Sequence, residues 1–144
     1  AKNLGVKIDI NHIMKCFTSL NKIHDVMLVE GIGGIMTPIL KNYAVIDLIK
    51  CLNTNIIIVT SSKIGTVNHT VMTCEMCKNM KIPVKGLIIN DFDSTGYPIS
   101  ELERDLSALT DLPVLCSLPH LAKFDLDNLS KMVAEQTDVL SLIN

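Results

Sequence analysis

Runs of apolar residues separated by short polar connections dominate this chain, and their spacing predicts alternating helices and strands. Apolar runs bounded by polar or turn residues predict four strands, at residues 26–30, 56–60, 84–89 and 113–118. Apolar positions at helical spacing predict a first helix that begins at Asp9 or Asn11 and ends near Leu20. The same spacing predicts further helices at residues 43–52, 67–80, 98–109 and 127–142. The first two strands are apolar almost throughout, which is typical of parallel strands covered on both faces.

This alternation predicts an α/β fold in which a parallel sheet carries helices on both faces. Neither an internal repeat nor a low-complexity segment divides the sequence, so we expect a single domain over residues 1–144. Parallel strands end at one edge of their sheet, and open α/β proteins bind ligands at that edge. The residues that arrive there are Glu30 with the glycines after it, the loop from Ser61, Asn90–Asp91 and Pro119–His120.

A glycine-rich turn follows the first predicted strand, since Glu30 passes directly into Gly31-Ile-Gly-Gly34. A carboxylate beside bare backbone amides can hold a magnesium ion and phosphate oxygens. Gly33 and Gly34 either make a tight turn or let a substrate or a phosphate approach the backbone closely. The motif G-x-x-x-x-G-K-[ST], which cradles ATP phosphates, does not occur in the 144 residues. The predicted edge therefore carries only half of a nucleotide site.

Composition and charge narrow the classes of function. The chain is 48% hydrophobic but has no apolar run long enough to cross a membrane, so no span is expected. Its net charge of −2 and the lack of a basic patch argue against nucleic-acid binding. The five cysteines lie mostly in apolar segments, which predicts reduced core residues of a cytoplasmic protein. Cys74 and Cys77 have metal or redox spacing, but nothing nearby completes a ligand set, and core packing is the favoured interpretation.

Three segments resemble the dethiobiotin synthetase family in order and spacing: Val29–Gly34 followed by Thr37-Pro38, then Lys63–Thr70, then Gly86–Asp91. Asp47 and Pro119 also fall at matching positions, and the resemblance extends over almost the whole chain. It implies a P-loop NTPase-like α/β fold. It also implies ATP- and Mg²⁺-dependent formation of dethiobiotin from 7,8-diaminopelargonic acid and CO₂ by a homodimer. Family members carry their phosphate-binding loop upstream, so we expect this chain to be the C-terminal portion of such an enzyme.

The resemblance also implies the roles of individual residues. Glu30 is the magnesium ligand. Substrate contacts come from Gly33, Gly34, Ile64, Gly65, Thr66 and Asn68 at a two-fold dimer interface. Nucleotide contacts come from Glu30, Gly33, Asn90, Asp91, Pro119 and His120. The chemistry agrees, because a helix N-terminus favours the substrate carboxylate and an amide such as Asn90 matches the adenine edge.

Simpler interpretations remain open for several of these positions. Thr66 or Asn68 can serve as an ordinary helix cap, and Asp91 can do no more than cap its loop. At the level of the whole chain, one alternative is a non-catalytic regulatory or dimerisation module with this fold. Another is a different ATP-dependent, amide-forming enzyme of the same superfamily.

Overall fold

The computed structural model of the chain describes residues 5–93 and 95–143, and these residues group into two compact units that divide after Thr54. The first unit contains helices and a short pair of antiparallel strands, and the second contains a parallel sheet flanked by helices. The predicted α/β class with a parallel sheet is therefore confirmed. The single domain over residues 1–144 stays a prediction.

Helix α1 (Ile10–Asn21) opens the first unit and agrees with the predicted helix. Asp9 is its N-cap, because the Asp9 Oδ1 atom accepts hydrogen bonds from the backbone N–H groups of Asn11 and His12 at 2.9 and 3.3 Å. The N-terminal end of the helix is thus satisfied by a side chain that the sequence had already singled out.

The rest of the first unit consists of strand β1 (Pro38–Leu40), strand β2 (Tyr43–Ala44) and helix α2 (Val45–Leu52). The two strands pair antiparallel, a hairpin that the apolar pattern did not predict. Asp47 Oδ2 accepts a hydrogen bond of 2.8 Å from the backbone N–H of Ala44 and so caps α2. Helix α2 consequently begins two residues later than predicted, because residues 43 and 44 belong to β2.

Residues 26–30 do not form the predicted buried strand. Val26, Leu28 and Val29 are 55%, 91% and 49% exposed, and Glu30 is exposed as well. A strand exists only where a neighbouring strand accepts and donates its backbone hydrogen bonds, and no described residue pairs with this segment. The prediction was wrong because an apolar run indicates only that a segment is suited to a sheet. It does not show that another strand is available to pair with that segment.

The second unit is built on three parallel strands in the order β3-β4-β5: β3 (Ile56–Thr60), β4 (Val84–Phe92) and β5 (Val114–Pro119). Helix α3 (Thr66–Asn79) connects β3 to β4, and helix α4 (Ile99–Thr110) connects β4 to β5. A parallel pair needs such a crossover, because the chain must return to the starting edge before it pairs again. The predicted strands and helices of residues 56–118 are confirmed, within a few residues at their ends.

The core of this unit lies between the sheet and helices α3 and α4. Its fully or almost fully buried members are Cys74, Leu87, Ile89, Leu102 and Leu106. Alternation along β4 directs Leu87 and Ile89 to the same face, and the four-residue spacing of Leu102 and Leu106 places both on one side of α4. Strand β3 is less covered than predicted, since Val59 is 63% exposed and the described residues leave its face open.

Gly86 permits the close approach of β4 and β5. A Cβ atom at this position would lie 2.7 Å from Leu115 Cγ and 2.8 Å from the carbonyl oxygen of Pro113. Any larger residue would have to push β5 away, so the glycine is explained by the packing of the sheet.

The ends of several elements differ from the sequence-based prediction. Strand β4 extends through Asn90 and Asp91, which we expected to close it, and Asp91 has a positive φ of 59°. Pro98 precedes α4 as its N-cap and is not the first helical residue. Within the part of the chain that the structure describes, no helix is both long and apolar enough to pass through a bilayer.

The predicted helix 127–142 is two helices, α5 (Leu126–Gln136) and α6 (Val139–Ile143). Thr137 between them is extended, with φ −140° and ψ 133°, and its hydroxyl donates a hydrogen bond to the carbonyl oxygen of Leu115 in β5. Asp138 Oδ1 then accepts a hydrogen bond of 3.1 Å from the backbone N–H of Leu140. The prediction was wrong because these contacts interrupt a pattern that is helical in its apolar spacing.

Candidate functional site

A pocket of about 460 Å³ opens at the C-terminal edge of the three-stranded sheet. Its walls are the end of β3, the loop after it, the first turn of α3 and the end of β4. The residues that line it are Val59, Thr60, Ser61, Lys63, Ile64, Thr66, His69, Asn90 and Asp91. Two of the three family-like segments, Lys63–Thr70 and Gly86–Asp91, therefore meet around one pocket.

Helix α3 begins at the pocket without a side-chain cap. Gly65 is the N-cap in a left-handed conformation with φ 92°, and Thr66 is the first helical residue. Neither Thr66 nor Asn68 caps the helix through its side chain, so that alternative was wrong. The backbone N–H groups of Val67 and Asn68 have no acceptor among the described residues. They are free to bind an anion at the positive end of the helix dipole.

The Thr66 hydroxyl is engaged in hydrogen bonds within the protein. Its hydroxyl donates a 2.7 Å hydrogen bond to the carbonyl oxygen of Ser61 and lies 2.6 Å from the hydroxyl of Thr60. Thr66 is buried, whereas Asn68 two residues later is exposed. Only the backbone of Thr66 is thus available to a ligand, while Asn68 can offer its amide.

A second group of polar side chains lies where β4 and β5 end. The Nδ1 atom of His120 and the Oδ1 atom of Asp91 are 2.6 Å apart, and the backbone N–H of His120 donates to the carbonyl oxygen of Phe92 at 3.1 Å. Asn90 and Asp91 line the pocket, whereas His120 approaches it only through Asp91 and Pro119 does not line it. The Asn90 amide has no partner among the described side chains and can pair with a ligand.

Ser62 links the two sides of the pocket. The backbone N–H of Asp93 donates a 3.0 Å hydrogen bond to Ser62 Oγ, so the loop after β3 is tied to the end of β4. The Asp93 carboxylate in turn accepts hydrogen bonds from Thr95, of 2.7 Å from its hydroxyl and 2.8 Å from its backbone N–H. These bonds favour the charged form and hold the pKa of Asp93 below its usual value.

The glycine-rich turn belongs to the first unit. Gly33 has a φ of 78°, and a Cβ atom there would lie 2.6 Å from Thr37 Oγ1. The same Thr37 oxygen accepts a 2.9 Å hydrogen bond from the backbone N–H of Gly34, and the backbone N–H of Thr37 returns one of 2.9 Å to the Gly34 carbonyl. Turn geometry therefore accounts for Gly33. It does not account for Gly34, around which a Cβ atom would meet nothing within 4 Å.

The predicted site residues thus fall into three places. Ile64, Thr66, Asn90 and Asp91 line the pocket, with Gly65, Asn68, Pro119 and His120 on the same loop, helix start and strand ends. Glu30, Gly33 and Gly34 lie in the first unit. The sequence placed the loop with Lys63 and His69 at the ligand edge but gave neither residue a ligand, and it did not include Val59 and Thr60. The assignment of ligands to residues stays a prediction.

Cys74 and Cys77 pack in the interior of the second unit. Cys77 is fully buried and Cys74 belongs to the core cluster. Burial raises the pKa of the Cys74 thiol to about 11 and also raises the pKa of Cys77. Both thiols are therefore neutral at physiological pH, and the favoured interpretation as core residues is confirmed.

Comparison with known proteins agrees with the chemistry of the pocket. ATP-dependent dethiobiotin synthetase BioD of Nitrosopumilus maritimus is 49% identical over 142 residues, which cover 99% of this chain and 62% of that protein. The protein of the same name from Thermodesulfovibrio yellowstonii is 38% identical, over 96% of this chain and 62% of its own length. The one from Bacillus velezensis is 35% identical, over 97% of this chain and 60% of its own length.

The chain therefore spans about three fifths of the length of the curated relatives it matches. A family model described as an AAA domain matches residues 1–127, which is most of the chain. A nucleotide-binding family of this kind fits both the parallel sheet and the polar pocket at its C-terminal edge. The chain belongs to this AAA domain family, and it is similar along nearly its whole length to ATP-dependent dethiobiotin synthetases.

Proposed function

We propose that the protein takes part in the ATP-dependent conversion of 7,8-diaminopelargonic acid and CO₂ to dethiobiotin, a step of biotin biosynthesis. The observation that carries this proposal is the pocket at the sheet edge, around which the Lys63–Thr70 and Gly86–Asp91 segments meet. The 49% identity to a protein named dethiobiotin synthetase supports the same reaction.

The start of α3 would hold the carboxylate end of the diamino acid. The free backbone N–H groups of Val67 and Asn68 and the positive end of the helix dipole favour an anion there. The backbone of Ile64, Gly65 and Thr66 and the side-chain amide of Asn68 would complete the contacts. The resemblance implies substrate contacts from Gly33 and Gly34 as well.

The ends of β4 and β5 would hold the nucleotide base. The Asn90 amide presents a donor and an acceptor side by side, which matches the edge of adenine. Asp91, Pro119 and His120 would line the base, with the hydrogen bond between Asp91 and His120 fixing both side chains. Binding here places the base on the opposite side of the pocket from the start of α3.

Glu30 would bind magnesium. Its carboxylate is exposed and has no hydrogen-bond or ionic partner among the described residues, so it is free to act as a ligand. Mg²⁺ keeps several waters and takes one or two carboxylates together with substrate phosphates, and a single solvated Glu fits that requirement. The bound ion would neutralise phosphate charge, and the resemblance implies a nucleotide contact from Gly33 as well.

The residues of this chain would act mainly by positioning. They would hold the two substrate amines and the nucleotide so that a carbamate formed on one amine accepts the γ-phosphoryl group with release of ADP. The other amine would then close the ring with release of phosphate. The 144 residues contain no G-x-x-x-x-G-K-[ST] loop, so contacts to the β- and γ-phosphates are assigned to another segment. We place this single α/β domain in the cytoplasm, which suits its five free cysteines.

A homodimer is part of the proposal. Ile64 at the tip of the pocket loop is fully exposed, and Met72 on α3 is 62% exposed, so the loop and helix present apolar surface beside the substrate end. A second copy would cover that surface. Sedimentation of the wild type and of Ile64→Asp tests this arrangement, and an identical mass for both would contradict it.

The decisive experiment supplies the protein with 7,8-diaminopelargonic acid, bicarbonate and Mg-ATP and looks for dethiobiotin by mass spectrometry. The same assay is run on the complete product of the gene. Dethiobiotin from either supports the proposal, and production only by the complete gene product assigns the phosphate loop to residues outside this chain. Absence of product from both would reject it in favour of the regulatory or dimerisation module. Turnover of ATP with a different amine would instead favour another amide-forming enzyme.

Glu30→Gln tests the assignment of Glu30 as the magnesium ligand. It is made in this chain or in the complete gene product, whichever forms dethiobiotin. We expect the rate to fall by about a hundredfold, as when one electrostatic stabiliser of a transition state is lost. Asp25→Asn is the matched control, because it removes an exposed carboxylate from the same unit. Equal rates for the two variants would show that Glu30 is an ordinary surface residue.

A further inference from the structure

Three threonines meet beneath the loop after β3. Thr60 ends β3, and Thr66 and Thr70 lie one turn apart on the inner side of α3. Thr66 and Thr70 are only 8% and 3% exposed. A buried hydroxyl is unfavourable unless it is hydrogen-bonded, and a valine would fill the same space without that requirement. Two buried hydroxyls that meet a third, half-buried one therefore call for a physical explanation.

The distances join the hydroxyls into one chain. The Oγ1 atom of Thr60 lies 2.8 Å from that of Thr70 and 2.6 Å from that of Thr66. Thr66 Oγ1 in turn lies 2.7 Å from the carbonyl oxygen of Ser61. We call these three side chains the threonine relay.

Each threonine hydroxyl has one proton to donate, and this fixes the direction of the hydrogen bonds in the threonine relay. The Ser61 carbonyl can only accept, so the single hydroxyl proton of Thr66 is donated to it. Thr60 must then donate to Thr66, and Thr70 must donate to Thr60. The hydrogen bonds run in one direction from the second turn of α3 to the backbone of the loop, and each proton is used once.

The threonine relay fixes both ends of the loop Ser61–Gly65. It holds the Ser61 carbonyl at one end and the first residue of α3 at the other. A backbone hydrogen bond of 3.1 Å from Thr66 N–H to the Lys63 carbonyl closes the turn between them. Within the loop, Lys63, Ile64 and Gly65 are exposed, and Ser62 Oγ accepts a hydrogen bond from the backbone N–H of Asp93. The conformation of the loop therefore depends on the threonine relay together with this contact to the end of β4.

We propose that Thr60, Thr66 and Thr70 are positioning residues that set the conformation of the Ser61–Gly65 loop for binding of the diamino acid carboxylate, an inference that rests on the function proposed above. Their hydroxyls are engaged with one another and with the Ser61 carbonyl oxygen, so their role is to position other groups. They place the loop backbone and the free N–H groups at the start of α3. The nucleotide end at Asn90 is anchored separately, by the pairing of β4 with β3 and β5.

Thr70→Val tests the inference, because it keeps the shape of the side chain and removes the donor at the start of the relay. Thr70→Ser restores the hydroxyl. Thr73→Val is the matched control on the same helix, since the Thr73 hydroxyl donates to the His69 carbonyl at 2.8 Å and lies outside the relay. We expect Thr70→Val to raise the KM for 7,8-diaminopelargonic acid about fivefold, the effect of one neutral hydrogen bond, and to leave the KM for ATP within about twofold. Thr70→Ser and Thr73→Val should resemble the wild type.

Hydrogen exchange of the backbone amides of residues 61–66 provides a readout that does not need activity. Exchange there should quicken about fivefold in Thr70→Val and remain unchanged in Thr70→Ser, while exchange in β4 stays the same. Unaltered loop exchange in Thr70→Val, or an equal rise of both KM values, would overturn the inference. Absence of dethiobiotin from both this chain and the complete gene product would reject the proposed function, and the exchange experiment would still decide whether the threonine relay orders the loop.

Discussion

At the scale of single residues, neighbouring glycines of the same motif have different reasons to be glycine. Gly33 has a left-handed backbone and stands against the hydroxyl of Thr37, so the turn itself demands it. Gly34 has open space around it. A sequence motif alone does not separate these reasons, whereas the contacts of a hypothetical Cβ atom do.

Gly33→Ala should therefore destabilise the fold more than Gly34→Ala. The first substitution forces an alanine into a positive φ and against Thr37 Oγ1, with an expected loss of about 1–3 kcal/mol in the free energy of unfolding. The second should change it by less than about 0.5 kcal/mol. Urea unfolding followed by circular dichroism measures both, and equal losses would contradict the geometry. Under the proposed function, Gly34→Ala should still lower activity, because its methyl group enters the space kept for a ligand.

Buried thiols give a second residue-scale effect. Burial raises the pKa of Cys74 to about 11 and also raises those of Cys77 and Cys116, because the folded protein favours the neutral thiol. An unfolded chain loses its thiol protons near a pKa of about 8.5. The contribution of thiol burial to the free energy of unfolding is therefore complete below that pH. It is lost as the pH rises toward the pKa of the thiols in the folded protein.

We expect the free energy of unfolding to be flat between pH 7 and 8 and to fall between about pH 9 and 11. Chemical denaturation across that range measures the slope. Cys74→Ala should make the fall shallower, whereas Cys16→Ala, which changes an exposed cysteine, should not alter it. Stability that rises above pH 9 would show that the thiols are not buried in their neutral form.

At the scale of elements, the free edge of β5 is covered by the end of α5. The Gln136 amide bonds Ser117 twice, because its Oε1 accepts from the Ser117 N–H at 2.9 Å and its Nε2 donates to the Ser117 carbonyl at 3.2 Å. Thr137 donates to the Leu115 carbonyl next to it. Two side chains thus satisfy the backbone groups that a fourth strand would otherwise pair, and an edge protected in this way does not recruit other chains.

Gln136→Ala should lower the free energy of unfolding by about 1–3 kcal/mol, since it removes both hydrogen bonds to Ser117 and leaves these backbone groups of β5 unpaired. Glu135→Ala is the control. Glu135 forms only an exposed pair with Lys131 at 3.9 Å, for which a change below about 0.5 kcal/mol is expected. Denaturant titration of the two variants checks the difference. Similar losses would mean that Gln136 does not hold the edge.

At the scale of the whole molecule, two different sets of polar groups lie at one edge of the sheet in the second unit. The start of α3 offers backbone N–H groups and Asn68, and the end of β4 offers the amide of Asn90. The Ser62–Asp93 hydrogen bond joins the two sides. Under the proposed function, one end of this edge binds the anionic substrate and the other binds the nucleotide base.

Asn68→Ala and Asn90→Ala should therefore weaken the binding of different substrates. Under the proposed function, Asn68→Ala raises the KM for 7,8-diaminopelargonic acid and Asn90→Ala raises the KM for ATP, each about five- to tenfold for the loss of one or two hydrogen bonds. Each variant serves as the control for the other. Steady-state kinetics with one substrate varied at a time measures the pattern, and the reverse pattern would exchange the two ends of the pocket.

Much of the fold was accessible from local pattern. The strands and helices of residues 56–118 follow from apolar periodicity, because each of them buries one face or both against its neighbours. The cap of α1 by Asp9 follows from side-chain chemistry that acts within three residues. Two predictions were wrong. The strand predicted at residues 26–30 needs a neighbouring strand as its hydrogen-bonding partner. The helix predicted at residues 127–142 is interrupted where Thr137 forms a hydrogen bond with β5.

The sequence by itself determined the α/β class, the order of elements over residues 56–118 and the identity of the motifs that reach the C-terminal edge of the sheet, since periodicity and residue chemistry are local properties. Only the tertiary structure decided which of those residues share the pocket, that Thr66 turns inward to the threonine relay, and that Gln136 and Thr137 cover the edge of β5. Each of these features depends on a hydrogen bond whose partners stand apart in the chain, and the partner of a donor is set by folding, not by its own identity.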